Sequence, residues 1–210
     1  MQTLNASPQN NFGSQRIWRW RGWRIRYTFI RPNHHEANNA TPILLLHGFA
    51  SSLEQWRNNL YPLSSQHPVY AIDLLGFGGS QKAASLLGAD LWAKQAHDFW
   101  RALIGRPVIL LGHSLGALVA LTAATTYPEM GERLIMFTLP AARQEMLSGW
   151  IQTVATAMEK RFSSPLLVRP IFYFMRQPKV IRSVMKGLYT QPEKVDQSLV
   201  SLFTKPTQDR

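Results

Sequence analysis

Pro107-Val108-Ile109-Leu110-Leu111-Gly112-His113-Ser114-Leu115-Gly116 is the stretch that decides the fold. A short all-apolar run breaks at Gly112, and a small-residue-rich helix follows as far as Tyr127, where Pro128 blocks its continuation. Four or five apolar residues with no polar alternation are what a strand covered on both faces of a parallel sheet requires. Gly112-x-Ser114-x-Gly116, between a strand and a helix, has the pattern of a nucleophile elbow. There a serine sits on a tight, strained turn with its hydroxyl above the sheet, and the glycines let neighbouring chain approach. The Leu115 N–H, at the helix N-terminus, then faces a developing oxyanion. The competing reading is a plain strand-to-helix turn with a serine cap.

Working outward, Ile43-Leu44-Leu45-Leu46 is a second such run and ends at His47-Gly48-Phe49. The other oxyanion donor is expected there, from the Phe49 backbone N–H, while His47 reads as structural. Ser52 and Gln55 have capping-box spacing ahead of Leu53, Trp56 and Leu60. Pro68 to Ile72 is the next strand and runs into Asp73-Leu74-Leu75-Gly76-Phe77-Gly78-Gly79-Ser80. Asp90 is placed to cap a helix whose apolar face is Trp92, Ala96, Phe99 and Leu103, ended by Gly105; His97 lies off that face and is expected to be exposed. Leu134 to Phe137 reads as a fourth buried strand. Strand and helix alternate throughout, which predicts an α/β fold with a mostly parallel sheet and helices on both faces.

Ahead of these elements, Trp18 and Trp20 alternate with Arg19 and Arg21, and after Gly22 the residues Trp23, Ile25, Tyr27 and Phe29 alternate with Arg24, Arg26 and Thr28. This predicts an N-terminal antiparallel hairpin with arginines on one side and aromatics on the other. Residues 1–15 read as disordered, 16–140 as the sheet-bearing part, and 141–210 as a helical segment. In the last, Leu147 to Met158, Val180 to Leu188, and Val195 to Leu202 (with Pro192 in its first turn) have helical spacing.

Composition narrows the function. Of 210 residues 45% are apolar and 17% charged, with no cysteine, so disulfides, thiolate nucleophiles and cysteine-ligated metals are excluded. No cofactor or metal is expected. The N-terminus lacks a secretory pattern, and no apolar run approaches the ~20 residues of a membrane span; a cytoplasmic location is the expectation. The net charge of +11 concentrates in Arg16 to Arg31 and Lys160 to Arg182. Such an excess suits phosphate-rich or anionic-lipid surfaces, or is a solvated face. No nucleic-acid motif accompanies it, so no nucleic-acid partner is expected.

The motifs His47-Gly48-Phe49, Asp73 to Ser80, and Gly112-His113-Ser114-Leu115-Gly116 resemble the α/β-hydrolase superfamily with a helical cap. Trp18 to Gly22, the run through Ser80, and Arg176-Gln177-Pro178 to Lys205-Pro206 resemble a cyanobacterial and chloroplast branch related to pheophytinases, which cleave a phytyl ester. The resemblance implies ester hydrolysis through an acyl-enzyme, a small hydrophobic ester as substrate, and a structural turn role for Asp73. It also implies the triad order serine, acid, histidine. The histidines stand at 34, 35, 47, 67, 97 and 113, none after Ser114, and Glu129, Glu132, Glu193 and Asp196 do not end a recognisable strand. His113 abuts the nucleophile but points elsewhere. The expectation is therefore a truncated or partial chain lacking the terminal strands, inactive by itself. The alternative is a relic or binding module with pocket and cap but no turnover. Pro165 to Val168 and Ile171 to Met175 read either as a lid for a long-chain or prenyl ester met at a membrane surface, or as cap-to-core packing.

Overall fold

In the computed structural model of the chain, residues 12–83, 85–139, 177–188 and 191–204 are described. The chain divides into two compact units, residues 1–139 and 140–210.

The first unit is built on a six-stranded sheet. Its strands are β1 (Gln15–Trp20), β2 (Trp23–Ile30), β3 (Ile43–Leu46), β4 (Val69–Ile72), β5 (Val108–His113) and β6 (Gly131–Phe137), in the order β1-β2-β4-β3-β5-β6. β1 and β2 pair antiparallel, as do β2 and β4; the remaining pairs are parallel. The helices α1 (Leu60–Ser64), α2 (Ala89–Leu103) and α3 (Leu115–Thr126) complete the unit.

The apolar runs do what their composition demands. Leu44, Leu46 and Leu110 point to one face, against Phe99 and Trp92 of α2 and Val119, Ala120 and Ala123 of α3. Ile43, Leu45, Ile109 and Leu111 point to the other, against Leu53, Trp56 and Leu60. Each fully buried aliphatic chain contributes roughly 1.5–3 kcal/mol over leaving it wet. α2 buries Trp92, Ala96 and Phe99, but Leu103, in its last turn, is exposed. The helix is preceded by Gly88, so Asp90 stands in its first turn and is not the cap.

Several expectations are corrected. Leu134–Phe137 belongs to a strand that is largely exposed, because β6 is the terminal strand among the described residues. His97 is 6% exposed: it stacks on Tyr127 with ring centroids 3.9 Å apart and has Nε2 3.2 Å from Glu129. An off-face helix position is buried here because the end of α3 passes over it. The hairpin's arginines are not uniformly solvated either. Arg26 is half-buried against Asp73 and Glu54, and Thr28 is fully buried. The stretch expected to be disordered through residue 15 is tied down at its end, where the Thr28 hydroxyl donates to the carbonyls of Phe12 and Ser14 and Gln15 opens β1. Ser52 caps a 3-10 turn (Leu53–Trp56) by accepting from the Glu54 N–H, whereas Gln55 turns away to accept from the Gly48 N–H.

In the second unit, α4 (Pro178–Leu188) packs against α5 (Gln197–Thr204). Met185, Val195, Leu199 and Val200 are buried, and Val184 is exposed. Pro192 opens a separate 3-10 turn, and the start of α5 is capped by Asp196, which accepts from the Leu199 N–H at 2.6 Å. The helix expected over Leu147–Met158 and the apolar stretch Pro165–Met175 lie outside the described residues.

Candidate active site

The site grows from the junction of β5 and α3. Gly112 pairs with Leu46 of β3 on one side and Met136 of β6 on the other, and the Ser114 N–H donates to the Phe137 carbonyl at 2.9 Å. This extends the ladder one residue past the strand, and the chain then turns at once into α3. The turn holds Ser114 at φ 52°, ψ −117°, a left-handed conformation that costs a non-glycine residue on the order of 1–3 kcal/mol. Ser114 does not cap its own helix with its side chain. A simple serine cap would have extended backbone and an Oγ accepting from the first turn; neither is present.

The flanking glycines are required by contact. A Cβ on Gly112 would overlap the Gly116 carbonyl, and one on Gly116 would overlap the Leu46 and His47 carbonyls. The first turn of α3 therefore lies directly on the end of β3. A Cβ on Gly48 would stand 3.0 Å from His113 Nδ1 and 3.5 Å from the Ser114 Cβ. The loop after β3 thus abuts the elbow, turning back through Ala50 at φ 53°. Neither the Phe49 nor the Leu115 N–H donates to any described residue.

His47 is fully buried, and both its nitrogens are engaged by main chain. Nε2 accepts from the Leu74 N–H at 3.0 Å, which leaves Nδ1 to donate to the Gly48 carbonyl at 2.7 Å. Burial pushes its pKa down, against the attraction of Asp73, so the ring is a neutral bracket joining two loops. His113 is half-buried with Nδ1 unpartnered, and burial lowers its pKa too. His34, His35, His67 and His97 belong to the opposite end of the parallel strands; His67, for example, meets the Thr41 carbonyl just before β3. None of the six histidines hydrogen-bonds the Ser114 hydroxyl. Glu129 is bound to His97, Glu132 accepts from the Thr41 hydroxyl, and Asp196 caps α5. No group of three metal-ligating side chains occurs among the described residues, and no described helix is long and apolar enough to cross a membrane.

Sequence reasoning missed the frame around the elbow. Asp73, fully buried, accepts from the N–H groups of Leu53 and Gly79 at 2.6 and 2.7 Å and from Arg26 Nε. Burial alone would lower the Arg26 pKa; the charges of Asp73 and Glu54 outweigh it and raise the pKa instead. Gly78, at φ 50°, has no room for a Cβ beside the Asp73 carboxylate. Phe77 bridges Phe49, His47 and Trp92 at centroid distances of 5.5–5.8 Å. The available signals were Asp73, given a structural turn role by the family resemblance, and Arg26, one of three polar residues alternating with apolar ones in β2.

This fold and elbow define a hydrolase-type α/β protein. Residues 41–162 match the sequence model of the alpha/beta hydrolase fold family, more than half of the chain, and the chain belongs to that family. Among curated relatives, human 1-acylglycerol-3-phosphate O-acyltransferase ABHD5 is 36% identical over 118 residues, covering 54% of this chain and 32% of that protein. Human (Lyso)-N-acylphosphatidylethanolamine lipase is 34% identical over 145 residues, covering 63% and 42%. The Arabidopsis thaliana alpha/beta hydrolase domain-containing protein VTE7 is 40% identical over 110 residues, covering 50% and 33%. The matched part thus spans a third to two-fifths of these relatives. Among solved structures, Cfl2 from Burkholderia cenocepacia superposes with a TM-score of 0.72 at 23% identity, covering 91% of this chain and 64% of that one. A membrane phospholipase A does so at 0.67 and 21%, covering 94% and 60%. These two show the fold alone.

Proposed function

We propose that the chain carries the nucleophile of a serine hydrolase acting on a hydrophobic carboxylic ester. The observation that supports this most directly is Ser114: a strained residue at a strand-to-helix turn, its hydroxyl free of its own helix. In this reading Ser114 Oγ attacks the ester carbonyl. The Leu115 and Phe49 N–H groups, both without an acceptor among the described residues, take the developing oxyanion. The alcohol leaves, and water then releases the acid from the acyl-enzyme. Gly48, Gly112 and Gly116 bring the three chain segments together, and His47 and His113 pack beside them. The lipid-related names of two relatives agree with a long-chain or prenyl ester.

A serine is a poor nucleophile at neutral pH without a base, and none of the six histidines meets the Ser114 hydroxyl. Turnover therefore requires a base, and an acid to orient it, that the described residues do not bring to Ser114. The same observation favours a second reading, a ligand-binding module that holds an ester without cleaving it.

The two are separated by treating residues 1–210 with a fluorophosphonate probe and mapping the adduct. The hydrolase reading expects a slow adduct on Ser114, absent in Ser114→Ala. It also expects hydrolysis of p-nitrophenyl butyrate near background, and, with free imidazole added, a rate above that of imidazole alone for the wild-type chain but not for Ser114→Ala. A label elsewhere, or none, leaves the binding reading. Brisk hydrolysis abolished by Ser114→Ala would show that a base lies within these residues.

A further inference from the structure

We propose that the tip of the β1–β2 hairpin is a docking surface for an anionic phospholipid bilayer. Its purpose rests on the hydrolase reading of Ser114, but the binding itself does not.

Arg19 and Arg24 stand directly opposite each other across the two strands. Side chains so paired have Cβ atoms about 5 Å apart, and like charges there are destabilising. Both are exposed, and neither they nor Arg21 forms an ion pair with any described residue. One pleat further along the same face, Arg26 is held by Asp73 and Glu54. The fold thus pairs an arginine where the role is internal and leaves the tip's like charges together. Arg21 and Gly22, at φ 50° and 85°, make the tight turn, and the Arg21 guanidinium lies 5.0 Å from the Trp20 ring centroid.

Topology places this tip beside the elbow. β2 runs antiparallel to β4, and Tyr27 already pairs with Ile72, the last residue of β4. Residues Trp23–Arg26 therefore project past the C-terminal ends of the parallel strands, on the rim that carries Gly48 and Ser114. Three strand spacings separate β2 from β5, about 14 Å. An anionic sheet of headgroups touching the tip would bring the elbow's rim to the bilayer surface. Ile17 on the arginine face is 53% exposed, while Trp18 and Trp23, on the opposite face, are partly buried against the core. An exposed apolar side chain among arginines suits a headgroup–acyl boundary and has no use on a phosphate backbone alone.

The test compares two charge-matched double variants of the 1–210 chain. Arg19→Gln/Arg24→Gln removes charge at the tip; Arg16→Gln/Arg31→Gln removes it from the opposite end of the hairpin. Binding is measured by sedimentation with vesicles of one part phosphatidylserine to two of phosphatidylcholine, and with phosphatidylcholine alone. Each arginine at an anionic surface is worth about fivefold in partitioning. The tip variant should lose about twenty-five-fold, the distal one much less, and Arg19→Lys/Arg24→Lys should retain binding, which guards against misfolding. Equal losses from both Gln variants mean that net charge alone drives binding and overturn the proposal. So does wild-type binding no stronger with phosphatidylserine than without it. Duplex DNA displacing the vesicles with the same tip dependence overturns it in favour of a nucleic-acid surface. Sedimentation reads binding and not turnover, so failure here leaves the Ser114 labelling result untouched, and the reverse.

Discussion

Ser114 keeps a conformation that glycine would hold without strain, and that cost is measurable. At φ 52°, ψ −117° its Cβ crowds the backbone, a penalty that persists only where the surroundings over-determine the turn. Ser114→Gly is expected to stabilise the chain by about 1 kcal/mol, the relieved strain exceeding the entropy added to the unfolded state, a rise of roughly 2–4 °C in Tm at this size. Ser114→Ala keeps the Cβ and should leave Tm nearly unchanged. A melt in which Gly lowers Tm would show that the turn is not strained. His47 and His113 give a second expectation. Burial lowers both folded pKa values, so on acidification the unfolded chain binds the protons first. Their contribution is intact above the unfolded value of about 6.5 and is lost as pH falls from there through the folded pKa. Thermal melts should be flat from pH 8 to 7 and fall below about 6.5; His47→Gln should start lower but show a shallower slope. An equally steep slope in that variant would remove His47 as the cause.

Among the elements, the loop Asp73–Ser80 does most to set the site, and its anchor is Asp73. That carboxylate joins the 3-10 turn at Leu53, the Gly79 N–H and Arg26 of β2. Asp73→Ala leaves the half-buried Arg26 with only Glu54, and the buried Leu53 N–H and part-buried Gly79 N–H without their acceptor. Breaking such a pair costs about 3–5 kcal/mol, a large share of a total near 5–15 kcal/mol, so the variant should melt far below wild type or fail to accumulate as folded protein. A shift of only a degree or two would mean that water replaces the carboxylate. The same elements show what was legible beforehand. Ile43–Leu46 and Val108–Leu111 could be assigned from composition alone, because burial on both faces leaves no polar alternation. The elbow was legible because only glycine fits at 112 and 116. Leu134–Phe137 looks the same in sequence, yet it ends the described sheet and is exposed. Sequence records the apolar run and not the number of neighbours. Arg26 and His97 were missed for a related reason: each is buried by a segment distant in sequence, the Asp73 loop and the end of α3.

For the first unit as a whole, the sheet's two edges carry opposite chemistry. β1 places exposed Gln15, Arg16 and Arg19 along its length, the charged treatment that discourages strand addition. β6 leaves Ile135 and Met136 40% exposed and Phe137 48%, followed by Leu139 at 43%, with no charge after Arg133 in that run. An apolar terminal strand with free backbone groups is a template for another strand. Covering ~400 Å² of such surface contributes about 10 kcal/mol, against an estimated 4–15 kcal/mol for the freedom lost on association. Self-association should therefore be weak, reversible at low concentration and steeply concentration-dependent. Light scattering on a dilution series of the 1–210 chain should show mass rising with concentration. Ile135→Lys/Met136→Lys should restore a monomer with little change in Tm, since both side chains are already partly in water. Ile17→Lys, a matched change on the β1 edge, should leave the association as it was. If the β6 variant associates as the wild type does, or if Ile17→Lys abolishes association, then β6 is not the contact and the exposed apolar edge is not what brings copies of the chain together.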